Sequence, residues 1–309
     1  MKKRAVVFAG QGAQFVGMGK DLAAAHPECQ ALFDRANAVM GFDLARLCAE
    51  GPIEEITKSD NCQPAIFVVS AICYTALRKL YPELEIAGAA GLSLGEWTAL
   101  YAAGALSFED TVRILKARGK FMQAACEERP GGMVSVMGLP VPELEKVCAA
   151  AGVQIANLNS PEQIALSGDK AQIVEAEKLA QAAGAKKTVM LTVAGAFHSR
   201  LMESAAAKLE QELAGVVFHA PTIPVVSNVT GLPHGTPEAI KQAMVRQVTS
   251  SVQWVSGIEW FKRNGVTEYV ECGPGKVLSG LIKRIDKEAS VQSIQDAATL
   301  DKAVAILKA

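Results

Sequence analysis

Residues 86–104 read "IAGAAGLSLGEWTALYAAG", and the fold turns on how this stretch divides. Its first half, 86–93, is small, apolar and uncharged, as expected of a strand buried on both faces. From Leu94 onward helix formers take over, and Gly104 offers a place to stop. At the joint stand Gly91, Ser93 and Gly95, with the spacing of a nucleophile elbow, where a serine is exposed on a sharp strand-to-helix turn. Such a short pattern arises readily by chance. A strand before it and a helix after it are the context an elbow requires, and both are expected here.

Upstream, "RAVVFAG" (4–10) reads as a buried strand ended by glycine, followed by helical patterns near 17–25, 28–40 and 61–80. Pro64 is read as lying near the first turn of the last of these, where a missing N–H is harmless. Another helix is expected from about 107 to 127. The rhythm then changes. "GGMVSVMGL" is a strand, "PVPELEKVCAAAG" a helix, "VQIANLN" and "EQIALSG" two strands, "DKAQIVEAEKLAQAAG" a helix and "AKKTVML" a strand. That β-α-β-β-α-β order is the ferredoxin-like pattern, and it marks 130–192 as an inserted α+β subdomain. A helix is expected over 197–215, with His198 at its entry, then a strand at "IPVVSNV", helices near 236–249 and 253–264, a strand at "TEYVECG" and a helix at "GKVLSGLIKRI". Segments 1–129 and 193–309 together therefore form a larger α/β body with a parallel sheet.

The composition narrows the function. The chain has 309 residues, 50% hydrophobic but only 6% aromatic, and its net charge of −1 excludes a nucleic-acid binder held by a broad basic field. Seven scattered cysteines with no C-x-x-C give neither a disulfide framework nor zinc spacing, and no metal is expected. The apolar run from Ala5 to Gly10 stops at Gln11, too short for a signal peptide, and "NCQPAIFVVSAICYTAL" falls short of a bilayer span. The expectation is a cytoplasmic chain with no membrane association.

A serine hydroxyl needs a base. Of the four histidines, His26 precedes Pro27 at a helix joint, and His219 and His234 lie in Pro-rich loops. His198, in "GAFHSRL", sits where the insert rejoins the body. Taken alone it reads as structural; given the elbow, it is the candidate base. No acid is evident to orient it, since Asp169 and Asp110 read as helix caps. A backbone carbonyl could serve instead, giving a dyad. A tetrahedral intermediate needs N–H donors, for which Leu94 and, from the loop "GQGAQ" (10–14), Gln11 are candidates. That loop lacks the third glycine of a dinucleotide motif and the lysine of a P-loop. Arg118, in "ILKARGKFMQ", lies on a largely apolar helix face beside Gly119; it is either part of a solvated basic stripe with Arg113, Lys116 and Lys120 or a fork for a carboxylate.

Seven segments, "FAGQGAQFVGMG", "GLSLGEW", "RGKFMQ", "GAFHSRLM", "SNVTG", "QVTSSVQW" and "ECGPGKVLSGL", occur in the order found in malonyl-CoA:acyl carrier protein transacylases. The chain resembles that family nearly end to end. The resemblance implies a hydrolase-like α/β body with a ferredoxin-like insert, and a ping-pong transfer of malonyl from its coenzyme A thioester, through Ser93 with His198 as base, to the phosphopantetheine thiol of acyl carrier protein, for fatty-acid synthesis. It implies that Arg118 pairs with the malonate carboxylate, that Gln11 and Leu94 supply the oxyanion hole, that Gln247 lines the site near the carbonyl orienting the histidine, and that Phe197 crowds an α-methyl branch. No permanently bound cofactor is implied. Two positions depart from the family: Leu92 stands where histidine is usual, and Trp97 where tyrosine is common. A transferase serving a polyketide synthase in trans would use the same residues, and a serine thioesterase would share Ser93 and His198 but have no use for a carboxylate clamp. Because carrier proteins are usually acidic, Lys186, Lys187, Lys283 and Arg284 are candidates for a docking face.

Overall fold

The computed structural model describes residues 2–309. In chain order its elements are β1 (Lys3–Phe8), α1 (Lys20–Ala25), α2 (Pro27–Met40), α3 (Leu44–Glu50), α4 (Ile53–Thr57), α5 (Ser59–Leu80), β2 (Gly88–Gly91), α6 (Leu94–Ala102) and α7 (Phe108–Glu128). There follow β3 (Gly131–Met137), α8 (Val141–Ala151), β4 (Gln154–Ser160), β5 (Gln163–Asp169), α9 (Lys170–Ala182) and β6 (Lys187–Met190). The chain closes with α10 (Glu203–Leu213), α11 (Pro237–Arg246), α12 (Trp254–Arg263), β7 (Val266–Cys272), α13 (Val277–Ile285), β8 (Ser290–Ile294) and α14 (Ala297–Lys308).

Two sheets organise these elements. The first is parallel, in the order β2-β1-β7-β8, and the second antiparallel, in the order β4-β5-β3-β6. Side chains of a strand alternate between faces, and β1 uses both: Val6 and Phe8 enter a large core with α2, α5 and α7, while Ala5 and Val7 enter a second core with Trp254, Ile258 and Leu278. Burial on both faces explains why β1 and β2 read as unbroken apolar runs. In the second sheet, Val134, Val136, Ile164 and Leu166 pack against α8 and α9. Met133, Asn157 and Ala165 line the cleft between that sheet and the body. The edge strand β4 is tied to the body by a parallel bridge from Asn157 to Val252.

Glycines set the closest contacts. A Cβ on Gly91 would stand 2.0 Å from the carbonyl of Gly95, and one on Gly95 would stand 2.2 Å from the Phe8 carbonyl oxygen. Helix α6 thus lies with its backbone directly on β1. Gly119 does the same for the helix pair α5 and α7, since its Cβ would meet the Ser59 carbonyl oxygen at 2.2 Å.

Several expectations need correction. Segment 224–228 forms no regular strand; it makes single bridges from Val225 to Ala89 and from Val226 to Pro233. Helix α5 begins at Ser59, which puts Pro64 in the second turn, where its ring removes the donor for the Asp60 carbonyl. His198 does not start a helix. It occupies a turn at φ 58°, with a short 3-10 turn (Arg200–Met202) before α10. Asp110 is no N-cap: Ser107 caps α7 by accepting from the Asp110 N–H. Helices α3, α4 and α14 and strand β8 add to the elements expected from the sequence.

The backbone contact of α6 with β1 leaves no room for a methyl group. Gly95→Ala is expected to lower stability by about 3 kcal/mol or more, read as a drop in urea midpoint and melting temperature.

Candidate active site

Three distant segments converge on the turn between β2 and α6. Ser93 holds a strained backbone, φ 55°, which a non-glycine residue keeps only when its surroundings enforce it. Asn228 does this from the irregular segment. Its Oδ1 accepts from the Ser93 N–H at 2.6 Å, and its Nδ2 donates to the Gly91 carbonyl at 2.8 Å, so one amide clamps both sides of Leu92.

His198 arrives from the junction after β6 and is 4% exposed. Nε2 lies 2.9 Å from Ser93 Oγ and Nδ1 lies 2.9 Å from the Gln247 carbonyl oxygen. A carbonyl can only accept, so the proton sits on Nδ1 and the Nε2 lone pair faces the hydroxyl. Ser93 Oγ–H therefore donates to Nε2. The carbonyl that orients the imidazole belongs to Gln247 itself. Burial and then the neighbouring Arg118 charge push the His198 imidazole down to about 4, against the weaker upward pull of the Gln247 and Ser250 carbonyls.

Arg118 is only 1% exposed, which removes the solvated-stripe reading. Gly119 lets α7 approach α5 closely enough for the guanidinium to sit beneath Gln63, whose Oε1 accepts from Nη1 at 2.7 Å. Nη2 donates to Gln247 Oε1 at 3.0 Å and to Ser93 Oγ at 3.2 Å. Its Nε is buried and has no partner among the described residues. Desolvation lowers the guanidinium to about 10, with the Glu96 charge opposing; it stays charged at neutral pH.

The Gln247 side chain is fully committed: Nε2 donates to the Ser93 carbonyl at 2.9 Å and to Glu96 Oε2 at 2.6 Å. Gln63, Glu96 and Asn228 are not among the candidates that the sequence offers, and His234 is set aside there as a loop histidine. The signal for Glu96 was available, as the sole charge in "GLSLGEWTALYAAG". Gln63 is visible only as one polar residue in the long uncharged stretch 61–77.

The site opens into a cleft of about 660 Å³ between the body and the second sheet. Gln11, Ser93, Leu94, Arg118, Phe197 and His198 all line it, with Arg284 at its edge. Leu94 is the first residue of α6, so its N–H belongs to the turn whose donors have no intrahelical acceptor. The Gln11 side chain turns to Ser59 at 3.4 Å. Leu92 packs its side chain against the second core rather than entering the dyad. A hydroxyl on an imidazole nitrogen, beside a buried guanidinium and a helix N-terminus, is an arrangement suited to acyl transfer from a substrate bearing a carboxylate.

Comparison with known proteins agrees. Residues 5–302 match the family model of the acyl transferase domain. The chain is 40% identical over 308 residues to the malonyl CoA-acyl carrier protein transacylase of Escherichia coli K12, covering 98% of this chain and 99% of that relative. An acyl carrier protein S-malonyltransferase from Vibrio cholerae O1 biovar eltor has the same fold, with a TM-score of 0.94 at 38% identity, covering 97% of this chain and 99% of that one. A malonyl-transacylase solved in complex with its type II polyketide acyl-carrier protein is equally similar, with a TM-score of 0.94 at 37% identity, covering 98% and 99%. With both chains matched almost end to end, this protein belongs to the acyl transferase family, among the malonyl CoA-acyl carrier protein transacylases.

Proposed function

We propose that the chain carries malonyl from malonyl-CoA to the phosphopantetheine thiol of an acyl carrier protein by way of a malonyl ester on Ser93. The observation that carries this reading is the pair of contacts at one atom: Ser93 Oγ has the His198 imidazole at 2.9 Å and the Arg118 guanidinium at 3.2 Å. The first makes the oxygen a nucleophile. The second sets a cation within reach of the distal carboxylate, two carbons beyond the acyl carbonyl in a malonyl ester.

In the first half-reaction Ser93 Oγ attacks the thioester carbon while His198 Nε2 takes the hydroxyl proton. The backbone N–H groups of Leu94 and Gln11 receive the oxyanion. The C–S bond then breaks, and His198 returns the proton to the departing thiolate. In the second half-reaction His198 takes the proton of the carrier thiol, whose sulfur attacks the ester carbon; the C–O bond breaks and His198 returns the proton to Ser93 Oγ. Phe197 crowds the acyl pocket. The division of labour follows the sheets: 1–129 and 193–309 hold the chemistry, and 130–192 cover the cleft. Arg284 supports a carrier-facing rim. It donates to Gln163 Oε1 at 2.6 Å, and Gln163 and Lys187 flank Met137 on neighbouring strands. Seven free thiols, and no helix among the described residues long and apolar enough to cross a membrane, support a cytoplasmic setting.

Ser93→Ala is expected to form no malonyl adduct by intact mass and to transfer at least about a thousandfold more slowly; a retained adduct would place the nucleophile elsewhere. Arg118→Ala is expected to lose about 30-fold or more in kcat/KM for malonyl-CoA relative to acetyl-CoA, and an unchanged ratio would free Arg118 of its role.

The pH dependence follows from the buried imidazole. In the native state His198 takes its proton only near pH 4, against 6.5 in an unfolded chain. The unfolded chain binds the extra proton between those values, so this stabilising contribution is full above 6.5 and is lost as pH falls through the window. For the same reason kcat/KM for Ser93 acylation is expected to hold its plateau well below 6.5, with its acid limb near 4. Rapid-mixing acylation rates from pH 8 downward check this, and an inflection at 6.5 would contradict it.

A further inference from the structure

Behind the elbow, away from the acyl cleft, lies a buried pair that the reaction scheme does not use. His234 Nε2 stands 2.7 Å from Glu96 Oε1, the two side chains being 2% and 0% exposed. The other Glu96 oxygen accepts from Gln247 Nε2 at 2.6 Å. Neither Glu96 nor His234 lines the cleft; His234 is anchored by its own N–H to the Val225 carbonyl at 2.8 Å and borders a separate surface groove of about 320 Å³.

The position of Gln247 gives this pair its meaning. A primary amide can face either of two ways, and only one suits this site. Carboxylates and carbonyls accept, so Nε2 must point at Glu96 and at the Ser93 carbonyl; a guanidinium only donates, so Oε1 must point at Arg118. The same residue offers its main-chain carbonyl to His198. With Glu96 held, the amide has one solution. With Glu96 turned away, only the Ser93 carbonyl and the Arg118 guanidinium would hold that orientation, and Nε2 would lose its one charged acceptor.

We propose that Glu96 and His234 are positioning residues: His234 holds the Glu96 carboxylate, Glu96 fixes the orientation of the Gln247 amide, and Gln247 thereby aims the Arg118 guanidinium and seats the His198 imidazole. The proposal rests on the reading of the site given above.

The test uses two amides that differ in reach. A glutamine at 234 can place its N–H close to where the imidazole Nε2 stands, whereas an asparagine stops near Nδ1 and leaves Glu96 without that donor. Purified full-length His234→Gln and His234→Asn are compared with the unmodified chain for Ser93 acylation by malonyl-CoA and acetyl-CoA, with melting temperatures measured alongside. The Gln variant is expected to keep both rates within about twofold. The Asn variant is expected to lose about tenfold in kcat/KM with acetyl-CoA, through His198, and several-fold more with malonyl-CoA, through Arg118. A folded Asn variant with ordinary rates overturns the proposal. So does one whose melting temperature falls while its malonyl-to-acetyl ratio stays put. Should the Asn variant not fold, loss of the malonyl preference in the Gln variant overturns it. A malonyl adduct surviving Ser93→Ala, or an unchanged ratio in Arg118→Ala, overturns instead the underlying reading of the site.

Discussion

The contact on which the rest depends is that of helix α6 lying on strand β1 with no side chain between them. Gly95 removes the methyl group that would hold α6 off β1, and Gly91 the one that would hold the end of β2 off α6; the chain between them has only three residues in which to turn. The turn therefore cannot relax into ordinary backbone, and Ser93 takes a positive φ. Asn228 fastens both flanks of it. His198, which meets Ser93 from the far end of the insert, is also at positive φ. The two groups that share a proton are thus each held in conformations the chain would not choose alone, and the stability of the surrounding cores holds them there.

The treatment of charge is as constrained as the backbone. A guanidinium that is 1% exposed needs a counter-charge, and Glu96 supplies it without touching it. Gln247 stands between, accepting from Arg118 and donating to Glu96. A direct carboxylate–guanidinium pair would occupy the donors that an incoming malonyl group needs. With a neutral amide interposed, Arg118 is compensated while Nε lacks a partner among the described residues and Nη2 keeps a weak contact to a hydroxyl.

The sequence conveyed much of this where a local rule governs. Unbroken apolar runs gave β1 and β2, glycine spacing gave the elbow, and the alternation of two strand pairs with two helices gave the insert. Arg118 and His198 were legible through their neighbours, Gly119 and the elbow. Legibility failed where long-range contacts decide. Segment 224–228 has strand composition, but its Asn228 side chain takes the place of ladder hydrogen bonds. Strand β8 is short, half-buried and polar at Gln292 and Ser293, so no alternation stands out. His234 sits in a loop next to Pro233, and nothing nearby in sequence announces a carboxylate more than a hundred residues away.

All seven cysteines are buried. Burial raises Cys29, Cys48 and Cys62 to about 12 and Cys126 and Cys148 to about 11, and lifts Cys73 and Cys272 further. Thioesters exchange readily with any thiolate in reach. A protein whose donor and acceptor are both sulfur compounds would squander its cargo on its own surface if these side chains were accessible and ionised. Sequestered and protonated, they leave the cargo a single landing place, an oxygen, from which it departs only to sulfur.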